Sequence, residues 1–284
     1  MIDKMKVNFL IAGSQKCGTT ALYEFIKNHP EVIGSKPKEL DFFNYDPNYN
    51  KGINFYHSNF RYNSFLYKLR DYIFLKSSPS YKFFEASPSY INDENAHVTA
   101  NRIYEYNKKI KIIVLVRNPI DRAFSAWNMY RKRFLKGNVN WWFDWMEKRT
   151  EVKSKAIRRE KLEYEDFNLF IKKELETIKK DDKIECPVLP NGHYYNGIKE
   201  FNKIFKDQVL IIKSEDLYSK TSTELKKIAK FLKLSNYDWG KFYGIKVFEG
   251  KYEKLIDSET YKILKEHYKE SNNKLFRLTG INYD

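Results

Sequence analysis

The sequence predicts an α/β fold, a P-loop-like three-layer arrangement in which a central, mainly parallel β-sheet is flanked by helices. Three observations predict it. The runs VNFLIA at 7–12, KIIVLV at 111–116 and QVLIIK at 208–213 are too densely apolar for half-exposed strands and fit strands buried on both faces. Segments of helical period separate them, as right-handed crossovers between parallel strands require. The glycine-bearing stretch GSQKCGTT at 13–20 joins the first run to a helix.

Each element has a local reason. From Gly18 onward Leu22, Phe25 and Ile26 recur at helical spacing, and the pair His29, Pro30 ends that helix. Residues 31–70 carry Asn, Tyr, Pro and Phe without clear period, and irregular chain over one end of the sheet is expected there. Helices are expected near 94–107, 119–131, 166–180, 192–205 and 258–278, the second opening on Asn118 as cap with Pro119 at its first position. The absence of a repeat, a Gly/Ser linker or a low-complexity tract predicts one domain spanning 1–284. Within it, 132–165 reads as a basic, Trp-containing insertion. Residues 131–161 hold eleven Lys and Arg against four Asp and Glu, a net charge of +7, with Trp141, Trp142 and Trp145 interleaved. An exposed helical excursion is the plainer reading of this segment. A rim that binds a negatively charged acceptor polymer is the functional one, since Trp faces stack on sugars and cations neutralise charge.

The chain has 284 residues, 42% hydrophobic and 17% aromatic, which is a folding composition and excludes disorder. Cys17 and Cys186 make no disulfide framework and lack the spacing of a zinc site. No apolar run approaches the roughly 20 residues of a membrane span, and MIDKMKVNFL has no signal-peptide core, so a cytoplasmic, reducing location is expected. The net charge of +15 calls for a polyanionic partner but does not choose among nucleic acid, membrane, nucleotide and anionic glycan.

GSQKCGTT resembles the phosphate-cradling loop GxxxxGK[ST] in its two glycines five apart, its hydroxyl residues and its place between strand and helix. Glycines let backbone N–H groups converge on one anion, and the new helix adds its positive end. Thr19, however, stands where a triphosphatase has lysine, and Lys16 lies inside the loop. The strand 111–116 leads into Arg117 where a magnesium site would need a carboxylate. Both departures favour a bare phosphate held without metal.

With these residues in hand, the chain resembles the sulfotransferases that use 3′-phosphoadenosine 5′-phosphosulfate, in particular the heparan-sulfate-type glycan enzymes, as a soluble, bacterial-like member. QKCGTTALYEFI at 15–26 is similar to that family's 5′-phosphosulfate loop and RNPIDRAFSAW at 117–127 to its 3′-phosphate motif. KELDFFN at 38–44, followed by NYNKGINFY at 48–56, resembles the segment that carries the catalytic base. The resemblance implies a sulfuryl donor, no metal, an acceptor hydroxyl or amine that is most simply a saccharide's, and no nucleic-acid partner. It implies catalytic roles for Lys16 and Glu39, with donor contacts from Gln15, Lys16, Cys17, Gly18, Thr19 and Thr20. For the 3′-phosphate it implies Arg117 and Ser125, with Gly250, Lys251 and Tyr252 in a late covering loop. Tyr194 matches a family tyrosine near nucleotide or acceptor, with a buried core tyrosine as the alternative.

Two departures from the family pattern stand out. The family often has Glu-Lys-Ser/Thr-Pro-x-Tyr after its second strand, and this chain has KSSPSY at 76–81 and EASPSY at 85–90. Choosing the second places Ala86 at the family lysine and leaves Lys76 as a possible substitute. The C-terminal disulfide of secretory-pathway members is missing. Two other readings are kept open here. One is a Mg-NTP-dependent P-loop kinase or ATPase, with LIIKSED at 210–216 as its metal-binding strand end. The other is a non-enzymatic nucleic-acid-binding protein, resting on charge and aromatic clusters.

Overall fold

A computed structural model describes residues 6–60, 81–91, 94–150, 152–242, 244 and 256–283. In chain order it carries β1 (Val7–Gly13), α1 (Thr19–Lys27), β2 (Val32–Gly34), α2 (Asp46–Tyr49), α3 (Gly52–Ser58), β3 (Lys82–Glu85), α4 (Ala96–Tyr106) and β4 (Lys111–Val116). There follow α5 (Pro119–Leu135), α6 (Trp141–Thr150), α7 (Lys161–Glu165), α8 (Phe167–Lys179), α9 (Tyr194–Phe205), β5 (Val209–Lys213), α10 (Ser214–Ser219), α11 (Thr221–Leu232) and α12 (Ser258–Thr279). The three expected strands and the five expected helices are all present near their expected bounds, but β5, at the edge of the sheet, is only partly buried and not covered on both faces as expected.

The chain divides into two compact units, each made of two stretches: Met1–Val116 with Gly197–Phe248, and Arg117–Asn196 with Glu249–Asp284. The first holds a five-stranded, all-parallel sheet in the order β2-β3-β1-β4-β5. Burial of Phe9, Leu10 and Ile11 on β1 and of Ile112 to Val116 on β4 explains the unbroken apolar runs, since helices flank the sheet. The strand order reverses beside β1, and in open parallel sheets ligands bind beyond the carboxyl ends of the strands at such a point. The loop 13–18 leaves β1 there. Close packing fixes Gly197 of α9: a Cβ on it would lie 1.9 Å from the Ile91 carbonyl oxygen.

Two strands escape sequence reading because they are short, three residues for β2 and four for β3. The segment 31–70, expected to be irregular, is corrected in its described part: it holds β2 and the helical turns α2 and α3. Helix α11 was not among the expected elements, although Leu225, Ile228, Ala229 and Leu232, all buried, recur at helical spacing.

The second unit packs around Phe124, Trp127, Tyr164, Phe167, Phe170 and Tyr268. Asn118 caps α5 as expected, its side-chain oxygen accepting the Ile120 amide at 2.9 Å and the Asp121 amide at 3.4 Å. A buried ionic cluster centres on Arg159, whose guanidinium meets Glu174 at 2.8 Å and Glu163 at 2.9 Å. The basic segment is partly helical, as α6. Trp142 is buried in the core, whereas Trp145 is 44% exposed. Arg133, Arg149 and Arg158 lie over the rings of Trp141, Trp145 and Phe143 at 4.1, 4.9 and 4.2 Å. Among the described residues no helix is long and apolar enough to cross a membrane.

Candidate active site

In the first unit the loop after β1 is built around backbone that few side chains tolerate. Gly18 caps α1 in the left-handed region at φ 89°, where a Cβ would also come within 3.0 Å of the Tyr218 hydroxyl. Lys16 adopts φ 65° without being glycine, a strained conformation of the kind that concentrates at functional sites. The loop is braced from two sides: the Ser14 amide donates to the Leu115 carbonyl at 2.8 Å, and the Ser214 hydroxyl to the Cys17 carbonyl at 2.9 Å. Cys17 and Thr19 are buried. Ser14 Oγ and Gln15 Oε1 are buried with no hydrogen-bond partner among the described residues. Such atoms are rare in folded proteins and are usually explained by a function or a bound partner. No acidic residue sits in the first turn of α1, so its positive end is left for an anion. Ser214 belongs to the segment 210–216 considered above as a metal-binding strand end, and its hydroxyl supports the loop instead.

The KELDFFN segment meets the first turn of α1 through Lys38. Lys38 Nζ lies 2.7 Å from Glu39 Oε1 and 3.1 Å from Thr20 Oγ1. The structure therefore links Glu39 to the loop helix by a single ammonium, while also making it the Lys38-paired surface carboxylate that its sequence position suggests on its own.

Behind that segment stands a hub the sequence reading missed. Glu85, at the end of β3, is fully buried and accepts from Tyr90 Oη at 2.6 Å, Ser87 Oγ at 2.7 Å and Tyr56 Oη at 3.1 Å. Burial pushes its carboxyl up to about 7, against the pull of those three hydroxyls. The same hydroxyls reach forward. Ser87 Oγ accepts the Leu40 and Asp41 amides at 3.1 and 3.0 Å, and Tyr90 Oη accepts those of Phe42 and Phe43 at 3.1 and 3.4 Å. Asp41, at φ 46°, receives the Ser89 hydroxyl at 2.5 Å. EASPSY thus holds the loop that bears Glu39, and the signal for it was the three hydroxyl residues after Glu85. Ala86 is buried and donates its amide to the Lys38 carbonyl at 3.1 Å. Lys76 lies outside the described residues.

In the second unit, Tyr194 is buried and its hydroxyl donates to the Arg117 carbonyl at 2.9 Å. It is thus a core tyrosine that also fixes the backbone bearing Arg117. Ser125 is buried on α5, seven residues beyond its cap. Arg122 is fully buried and donates to the Val188 carbonyl. His193 and His267 meet at 3.1 Å between their Nε2 atoms, and burial holds the His193 imidazole down at about 4, which suits a structural, neutral pair. Gly250, Lys251 and Tyr252 lie outside the described residues.

Known proteins are similar to this chain. The chain is 27% identical over 296 residues to the mouse (Mus musculus) bifunctional heparan sulfate N-deacetylase/N-sulfotransferase 4, covering 95% of this chain and 29% of that protein. It is 25% identical over 329 residues to the membrane-associated sulfotransferase kil1 of Dictyostelium discoideum, covering 97% and 66%. The chain thus spans under a third of the first relative's length and about two thirds of the second's. A crystal structure of a sulfotransferase from Alicyclobacillus acidocaldarius has the same fold, with a TM-score of 0.62 at 21% identity over 98% of this chain and 97% of that one. The profile of the sulfotransferase domain matches residues 6–278, and the chain belongs to the sulfotransferase domain family.

Proposed function

We propose that the protein transfers a sulfuryl group from 3′-phosphoadenosine 5′-phosphosulfate to a hydroxyl or amine of a saccharide. The observation that carries this reading is the Glu39–Lys38–Thr20 chain, which ties a carboxylate able to take a proton to the first turn of an anion-binding helix. Sulfuryl transfer needs both. The acceptor atom loses a proton as it attacks sulfur, and negative charge grows on the oxygen that bridges sulfur to the departing 5′-phosphate. Lys16 places a cation on that oxygen, while the loop amides of 15–20 and the Thr19 and Thr20 hydroxyls hold the 5′-phosphate. Glu39 takes the acceptor's proton, a role that contributes typically about 10²- to 10⁴-fold. Arg117 and Ser125 take the 3′-phosphate, with Tyr194 holding the backbone of Arg117 in place. No step in this scheme calls for a metal ion.

A saccharide acceptor is supported by the heparan sulfate enzymes among the relatives, and a negatively charged one by the basic, Trp-containing segment 131–161. Family membership favours this scheme over the Mg-NTP kinase reading and over nucleic-acid binding.

Thermal unfolding with adenosine 3′,5′-bisphosphate, beside ATP with magnesium, tests the donor assignment. Ligand at 100 times its Kd stabilises the native state by about 2.7 kcal/mol. The bisphosphate should raise the melting midpoint without magnesium, and Arg117→Ala should abolish that rise while sparing the weaker effect of the 3′-dephosphorylated nucleotide. Equal losses for the two nucleotides would remove Arg117 from the 3′-phosphate, and a rise only with magnesium-ATP would move the reading to phosphoryl transfer. Incorporation of labelled sulfate into heparan sulfate stripped of its sulfate groups tests the acceptor class.

A further inference from the structure

Given the sulfuryl-transfer reading above, we propose that Lys38 is a ligand of the donor's sulfuryl group, and that it reaches that group by exchanging its ion pair with Glu39. Its backbone is held firmly. The Lys38 carbonyl accepts the Ala86 amide and the Ser35 hydroxyl, each at 3.1 Å, and two residues on the Leu40 amide is taken by Ser87 and Glu85. The side chain is only 17% exposed and ends 3.1 Å from Thr20 Oγ1, in the first turn of α1. An ammonium so placed lies beside whatever anion the helix end receives, in a turn that carries no acidic residue of its own.

Its other contact, Glu39, is 48% exposed. A half-exposed ion pair is weak and readily exchanged, whereas the oxygens of an SO3 group beside a helix terminus offer the ammonium a drier and more strongly held partner. The exchange does two things at once. It spreads the Lys38 charge over the sulfuryl oxygens, and it releases the Glu39 carboxylate beside the group under attack. In the transfer itself the acceptor oxygen or nitrogen bonds to sulfur. The bond from sulfur to the bridging oxygen breaks, its electron pair stays on the 5′-phosphate, and the acceptor proton passes to Glu39. Donor binding is thereby coupled to freeing the base, which leaves Glu39 masked until there is a sulfuryl group to transfer.

The test compares affinities for the sulfuryl donor and for adenosine 3′,5′-bisphosphate, which lacks the sulfuryl group, in the wild type, Lys38→Met, Lys38→Arg, Glu39→Gln and the Lys38→Met/Glu39→Gln double variant. Lys38→Met should weaken donor binding about tenfold, the worth of one charge-assisted contact, and bisphosphate binding about twofold or less. Lys38→Arg should recover part of the donor affinity. Glu39→Gln should tighten donor binding by removing the competing carboxylate, and that gain should vanish in the double variant. Equal losses for donor and bisphosphate in Lys38→Met, no loss for either, or a Glu39→Gln gain that persists without Lys38 would each overturn the assignment. A wild type that binds neither ligand overturns the sulfuryl-transfer reading and this assignment with it. A wild type that binds both, with Lys38→Met indifferent, overturns this assignment alone.

Discussion

Tyr90 Oη donates to Glu85 Oε1 at 2.6 Å and accepts the Phe42 amide at 3.1 Å, so one hydroxyl joins a buried carboxyl on the sheet to the loop that bears Glu39. A carboxylate buried on β3 is costly, and hydrogen bonds from Tyr56, Ser87 and Tyr90 offset only part of that cost. Local order in the loop is gained at the expense of stability in the core, a trade common at functional sites.

Glu85→Gln should therefore change how stability responds to pH. Burial raises the Glu85 carboxyl from 4.5 to about 7, so between those values the folded state keeps a proton that the unfolded chain has lost. Stability from this group is fully present below about pH 4.5, declines as pH rises through about 7, and is flat above. Glutamine is neutral throughout. Urea unfolding at pH 5 and pH 8 should find the wild type losing about 2–3 kcal/mol relative to the variant over that interval. A stability difference that stays constant with pH would mean that Glu85 does not titrate in this range.

How much of this was legible in the sequence depended on the length of the signal. Strands of five to seven residues buried on both faces, such as β1 and β4, stood out, as did the Asn118-Pro119 start of α5. Strands β2 and β3 are too short to display a period. The glycine loop and Glu39 were reachable by motif resemblance. The contact of Lys38 with Thr20 and the Glu85 hub were not, because contacts between residues far apart in sequence, such as Ser87 to Leu40, 47 residues apart, leave no local pattern. EASPSY drew notice for the lysine absent at Ala86, while its working residues are Glu85, Ser87 and Tyr90.

Lys16→Ala should separate binding from chemistry. Lys16 has a left-handed backbone in the loop whose amides hold the 5′-phosphate in the proposed scheme, so its ammonium matters most when charge builds on the leaving oxygen. Turnover should fall by about 10²- to 10³-fold, as for the loss of other groups that stabilise a transition-state charge, while bisphosphate affinity falls far less. Parallel losses in the two measurements would make Lys16 an ordinary phosphate ligand.

Arg159→Met should damage the second unit and, through it, the residues proposed for the 3′-phosphate. Arg159 is enclosed by Glu163 and Glu174 and by the carbonyls of Glu185 and Phe170 at 2.7 and 2.9 Å. Removing the guanidinium leaves the Glu174 carboxylate buried without its cation, a loss of roughly 3–5 kcal/mol in comparable buried pairs. Glu174 also accepts the Val188 and Leu189 amides at 2.8 and 2.7 Å, and the Tyr268 hydroxyl donates to the Leu189 carbonyl at 3.0 Å. Those contacts pin the chain just before Tyr194, whose hydroxyl holds the Arg117 carbonyl. Urea unfolding should find the loss of stability, and bisphosphate binding under conditions where the variant is still folded should weaken, with discrimination against the 3′-dephosphorylated nucleotide reduced. A folded Arg159→Met variant with full 3′-phosphate discrimination would show that the buried cluster supports the unit's core without setting the position of Arg117.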